Sequence, residues 1–77
     1  MDNQNRKTLI NVPNGQTVTL VGINAGYGLK NRLASMGLVP NVQFTVLNNG
    51  HPGPFLISIK GTKTVIGKGA AHKIIVQ

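Results

Sequence analysis

Asn31-Arg32-Leu33-Ala34-Ser35-Met36-Gly37-Leu38-Val39-Pro40 decides the fold, because it reads as the last turns of a short helix, its stop, and a turn into a strand. Leu29, Leu33 and Met36 fall at i, i+4 and i+7 and share one helical face, while Lys30, Asn31 and Ser35 point away from it. Gly37 offers the left-handed residue that ends a helix, and Pro40 prevents its resumption. Isolated helices under about 12 residues are marginal in water, so this one must dock its apolar face on a sheet. The expectation is a helix that caps a small β structure.

Outward from that stretch the chain is strand-like. Upstream, Thr17 to Ile23 is rich in β-branched residues, with Val18 and Leu20 on one face and Thr17, Thr19, Val21 and Ile23 on the other. Branched residues on both faces predict burial on both. Leu9 to Gly15 reads as a short lead-in and a turn, and residues 1–8 as a flexible polar tail, which leaves 9–77 as the folded domain. Downstream, Val42, Phe44 and Val46 alternate with Gln43, Thr45 and Leu47, and Phe55, Ile57 and Ile59 alternate with Leu56, Ser58 and Lys60. Between these strands, Asn48 to Pro54 is dense in turn formers and predicts a projecting loop. Gly61-Thr62 reads as a tight turn, Lys63 to Ile66 as a further strand, Gly67 to Lys73 as a single helical turn, and Ile74 to Val76 as a closing strand. About five short strands with glycine-marked turns predict a mostly β chain forming a small, partly open barrel of the SH3-like or OB type. One short helix caps it and a one-turn helix lies near the C-terminus.

Composition bounds what such a barrel can do. A domain near 77 residues hides only about 60% of the surface its unfolded chain exposes, which leaves one small core and no deep cleft between lobes. There is no cysteine, so disulfides and thiolate metal sites are excluded. No apolar run has the length of a signal peptide or a membrane span, which predicts a cytoplasmic protein. Eight lysines and arginines stand against a single acid, Asp2, so the positive field is available to an anionic surface: phosphate, lipid headgroup or acidic protein.

Catalytic and cofactor motifs fail on inspection. Gly26-Tyr27-Gly28 between strand and helix invites a dinucleotide reading, but the third glycine would fall at Asn31 and no acid follows to hold a ribose. Gly67-Lys68 is followed by Gly69 where a phosphate-binding loop needs Ser or Thr. A nucleophilic triad would have to borrow Asp2. His51 and His72 alone are a thin shell for a metal. The chain therefore reads as non-enzymatic, with no cofactor and no metal site. Nucleic acid is the more serious rival for a basic barrel. Of three aromatics, Phe44 and Phe55 alternate with aliphatics as core residues do, which leaves Tyr27 alone for stacking where single-strand binders use several.

Gly28-Leu29, Arg32-Leu33, Met36-Gly37-Leu38 and Pro40, then Gly53-Pro54, Lys60-Gly61-Thr62, Ala71, Lys73-Ile74 and Val76, resemble the FeoA-like domain over nearly the whole chain after Leu9. The Arg-Leu-x-x-Met-Gly-Leu-x-Pro run is the most specific part. The resemblance implies an SH3-like barrel and a small cytoplasmic accessory of FeoB, the membrane transporter of ferrous iron, bound through protein-protein contacts on its cytosolic side. Related barrels form the C-terminal domain of metal-dependent repressors, whose DNA-binding domain is not part of this chain. Many members have Pro-Gly where this chain has Pro40-Asn41, and Asp-Pro where it has Gly53-Pro54. Under this resemblance Leu29, Leu33, Met36, Gly37, Leu38, Pro40, Gly61, Ala71, Ile74 and Val76 are structural, with the first three docking the helix. Candidate contacts are Lys30, Arg32 and Ser35 on the helix, and Gly50, His51, Pro52, Gly53 and Pro54 in the loop, because both regions project. An acidic partner, the anionic inner face of the membrane, nucleic acid and a second copy paired through a bare strand edge stay open as occupants.

Overall fold

The computed structural model describes residues 7–50 and 52–77. Lys7–Thr8 form β1, followed by one turn of 3-10 helix at Leu9–Asn11. Then come β2 (Thr17–Ile23), α1 (Tyr27–Ser35), β3 (Gln43–Asn49), β4 (Phe55–Ile59), β5 (Thr62–Ile66), the one-turn α2 (Lys68–Ala71) and β6 (Ile74–Val76). Every pairing is antiparallel, in the order β1-β6-β2-β3-β4-β5. This is the mostly β, partly open barrel with a capping helix that the sequence predicts.

β2 holds the barrel together by belonging to both of its halves. Thr17, Val18 and Thr19 pair with Thr45, Phe44 and Gln43 of β3, whereas Leu20, Gly22 and Ile23 pair with Val76, Ile75 and Ile74 of β6. The register slips between Leu20 and Gly22, and such an irregularity bends a strand where it passes from one sheet to another. Before the slip, burial along β2 is deepest on one side: Val18 and Leu20 enter the core, Thr19 is half-buried and Val21 is 48% exposed, whereas Ile23 beyond it is half-buried against the core. The expectation of burial on both faces holds only in part, since a β-branched residue such as Val21 suits a strand surface whether or not that surface is covered.

The core joins Phe44 and Val46 of β3, Phe55, Ile57 and Ile59 of β4, Ile66 of β5, and Ile74 and Val76 of β6. Leu9 and Val12, expected only as a lead-in, are fully buried and brace the core from the 3-10 turn. Lys7 and Thr8, taken with the tail in sequence, instead pair with Val76 and Ile75, because the exposed edge of β6 offers their backbone groups partners.

α1 has no side-chain cap at its N-terminus and stops through its C-terminal geometry. The Leu38 N–H donates to the Leu33 carbonyl and the Gly37 N–H to the Ala34 carbonyl, both at 2.9 Å, with Gly37 at φ +100°. This pair of bonds is a Schellman closure, and its apolar partners Leu33 and Leu38 are both buried. Met36 does not dock: it sits on the cap, 38% exposed, because the helix ends at Ser35 and the reversed chain sends Leu38 inward in its place. Leu29 is half-buried against the core. The following turn is closed by Val42 N–H to Val39 carbonyl at 3.1 Å, with Pro40 second and Asn41 third at φ +75°. In the β4–β5 hairpin Ile59 faces Thr62, so the turn is Lys60-Gly61, both left-handed, rather than Gly61-Thr62.

Candidate functional site

Register separates two ends of the barrel. Thr19 faces Gln43 at the start of β3, so β2 ends, and α1 begins, beside the Pro40 turn. Asn49 faces Phe55, and Phe55 faces Ile66, so the β3–β4 loop and the approach to α2 lie at the opposite end. The seven residues of β3 span about 23 Å at about 3.3 Å per residue. The two candidate contact regions are therefore far apart, and the structure does not bring them together.

At the first end an open apolar groove of about 260 Å³ runs between α1 and β2. Leu20, Ile23 and Leu38 supply its apolar body, and Val39 and Pro40 line it from the turn. Along its helical wall stand Tyr27, Lys30, Asn31 and Ala34, at i, i+3, i+4 and i+7 and hence on one face. Gly22 also lines the groove, and a Cβ built on it would meet nothing within 4 Å. A side chain at this position therefore has open space beside the groove. Tyr27 is 83% exposed, which makes its ring available to a partner. Chemically the groove offers an apolar trough, one aromatic edge and a single ammonium, a combination that receives an apolar side chain flanked by an acidic one.

The predicted contact residues on α1 divide. Lys30 lines the groove, whereas Arg32 falls on the far side of the helix from Tyr27 and Ala34 by helical spacing. The Ser35 hydroxyl donates back to the Arg32 carbonyl at 2.7 Å, so it is engaged within the helix. In the loop, Pro52, Gly53 and Pro54 are exposed, and His51 lies outside the described residues. Gly50 does not project: it is buried at φ +88°, with the Lys68 side chain across it. The Asn48 side chain folds the loop inward, accepting from Gly50 N–H at 3.0 Å and donating to the Pro52 carbonyl at 2.8 Å. Sequence reasoning missed Leu20, Gly22, Ile23 and Ala34, and singled out Tyr27 only as an aromatic free to stack. The spacing of Tyr27, Lys30, Asn31 and Ala34 was the available signal, since it marks a second helical face beside the docked one.

Phe44 and Phe55 are buried, which removes them from any stacking surface. Among the described residues no group of three or more His, Asp or Glu could hold a metal ion. No helix among them is long and apolar enough to cross a membrane.

The family model described as FeoA domain matches residues 7–77. A protein of Methanocaldococcus jannaschii, provisionally named Fe(2+) transport protein A, is 41% identical over 63 residues, covering 82% of this chain and 76% of its own. The crystal structure of an iron uptake regulatory protein, FeoA, superposes with a TM-score of 0.83 at 33% identity, covering 94% of this chain and 95% of that one. The zinc-complexed FeoA of Stenotrophomonas maltophilia, described as a prokaryotic SH3 domain protein, superposes with a TM-score of 0.80 at 16% identity, covering 92% and 89%. The last of these bears on the fold alone, which is SH3-like.

Proposed function

This chain belongs to the FeoA domain family, and from that premise we propose that it is a non-enzymatic accessory of ferrous iron transport that docks on the cytosolic side of a FeoB-type transporter. The observation that carries the reading is the open groove beside α1, whose apolar trough and Lys30 rim suit a partner segment with an apolar side chain next to a carboxylate. The name of the M. jannaschii relative supports the iron-transport context. The basic surface supports placement at the inner face of the membrane, where anionic headgroups attract lysines. The nucleic-acid reading loses support with the burial of Phe44 and Phe55, since it is left with Tyr27 alone to stack a base.

A backbone-amide NMR titration of the chain with the cytosolic domain of the host's FeoB-type transporter, at physiological salt, tests the reading. Saturable shifts are expected at Tyr27, Lys30, Ala34, Leu38 and Val39. Gly22→Val is the matched variant, because valine suits a strand and has room at that Cβ, so it fills the groove without unfolding the barrel. Loss of the shifts in Gly22→Val supports groove docking. Binding that is unchanged in this variant, or no binding by the wild type, removes the proposed role of the groove.

A further inference from the structure

At the other end of the barrel, α2, the 3-10 turn and the end of β3 enclose a second hollow of about 360 Å³. Ile10, Asn11, Asn49, Phe55, Lys68 and His72 line it. Lys68 and His72 are one helical turn apart, at i and i+4, so both cover the same side of α2. Asn11 comes from the 3-10 turn, where its side-chain amide donates one hydrogen to the Thr8 hydroxyl at 3.4 Å and keeps a second, and Asn49 comes from the end of β3. Four residues with nitrogen-bearing side chains thus line the hollow from three elements, together with the apolar Ile10 and Phe55.

Two features shape the hollow's surroundings. Lys68 crosses Gly50 so closely that a Cβ there would lie 3.2 Å from its Cε and 3.9 Å from its Nζ, so the missing side chain at Gly50 makes room for the lysine. The wall beneath is tied by side-chain bonds to backbone: Asn49 N–H donates to Asn14 Oδ1 at 2.8 Å, and Asn48 binds both Gly50 and Pro52. The described residues contain no Asp or Glu, so no acidic side chain among them neutralises Lys68.

We infer that this hollow binds a terminal phosphate, with Lys68 and His72 as the principal donors, Asn11 and Asn49 as lateral ones, and Ile10 and Phe55 as the floor for the group the phosphate carries. A carboxylate presents two oxygens in one plane, whereas a phosphate monoester presents three in a tetrahedral spread, and donors arriving from three elements match the latter. The hollow is also larger than a bare phosphate fills, which leaves room for an organic substituent on the apolar floor. This site lies at the far end of β3 from the groove and does not depend on the transporter reading.

The test is an NMR titration of the full chain at fixed ionic strength with three probes: inorganic phosphate, phenyl phosphate and benzoate. Saturable shifts are expected at Asn11, Asn49, Gly50, Lys68 and His72, in the millimolar range, with phenyl phosphate tightest and benzoate weakest. Lys68→Gln, at an exposed position, is expected to weaken both phosphates about five- to tenfold, the scale of one charge-assisted hydrogen bond near solvent. His72→Gln gives a second, smaller loss. Sedimentation with phosphatidylcholine vesicles, with and without phosphatidic acid, separates the sources: Lys68-dependent retention on phosphatidic acid places the phosphate on a lipid, and no retention places it on a soluble ester. No saturable shift with either phosphate, benzoate binding as tightly as phenyl phosphate, or equal affinities in Lys68→Gln overturns the inference.

Discussion

Asn41 shows how a single backbone angle constrains the sequence. It occupies the third position of the Val39–Val42 turn at φ +75°, where a Cβ crowds the backbone, so glycine is free of the strain and asparagine tolerates it through its short polar side chain. The family's Pro-Gly and this chain's Pro40-Asn41 are thus two answers to one steric demand. Asn41→Ala is expected to lower stability by about 1 kcal/mol, and Asn41→Gly to leave it within about 0.5 kcal/mol, by urea denaturation. Equal losses for the two would mean that the asparagine side chain, not the angle, holds the turn. Gly37 was readable in sequence for the same reason, because glycine at a break in periodicity advertises a left-handed angle, whereas Gly61 marked its turn but not the left-handed Lys60 before it. Met36 was misread: helical spacing assigned it to the docked face, but the closure at Gly37 takes the chain off the helix one residue too soon for that spacing to hold.

Elements were legible where burial is one-sided and the period is clean. Phe44 and Val46, and Phe55, Ile57 and Ile59, announced β3 and β4 because each strand lays alternate residues on the core. β1 and the 3-10 turn left no such signal, since two or three residues cannot display a period. The groove was illegible for another reason: its walls come from β2, α1 and the Pro40 turn, and only the bend at Leu20 and Gly22 sets them around one space. For α1, with no side-chain cap at its start, attachment should rest on its end. Leu38→Ala removes both a core side chain and the apolar half of the Schellman closure, and is expected to cost about 3 kcal/mol. Hydrogen exchange should show α1 amides losing protection before those of β3 and β4. Uniform loss across the barrel would mean that Leu38 supports the core and not the helix.

For the molecule as a whole, the decisive number is its one acid. Acid unfolding of most proteins comes from carboxylates that are paired when folded and must be protonated, and here the described residues offer none. Stability is expected to change by less than about 1 kcal/mol between about pH 7 and about pH 3 at constant salt, followed by denaturant titration at each pH. A cooperative acid transition inside that range would show that charge repulsion, starting from +7, outweighs the missing carboxylates. The fold class and the basic charge were legible before any coordinates, but the placement of Lys30 and Lys68 at opposite ends required the strand register. β3 therefore has a role beyond its contribution to the core. Two bodies held at its ends are separated by about the 23 Å length of the strand, and short tethers of that kind produce millimolar local concentrations. The barrel would then raise the encounter rate of its two occupants without changing shape, by being a fixed length.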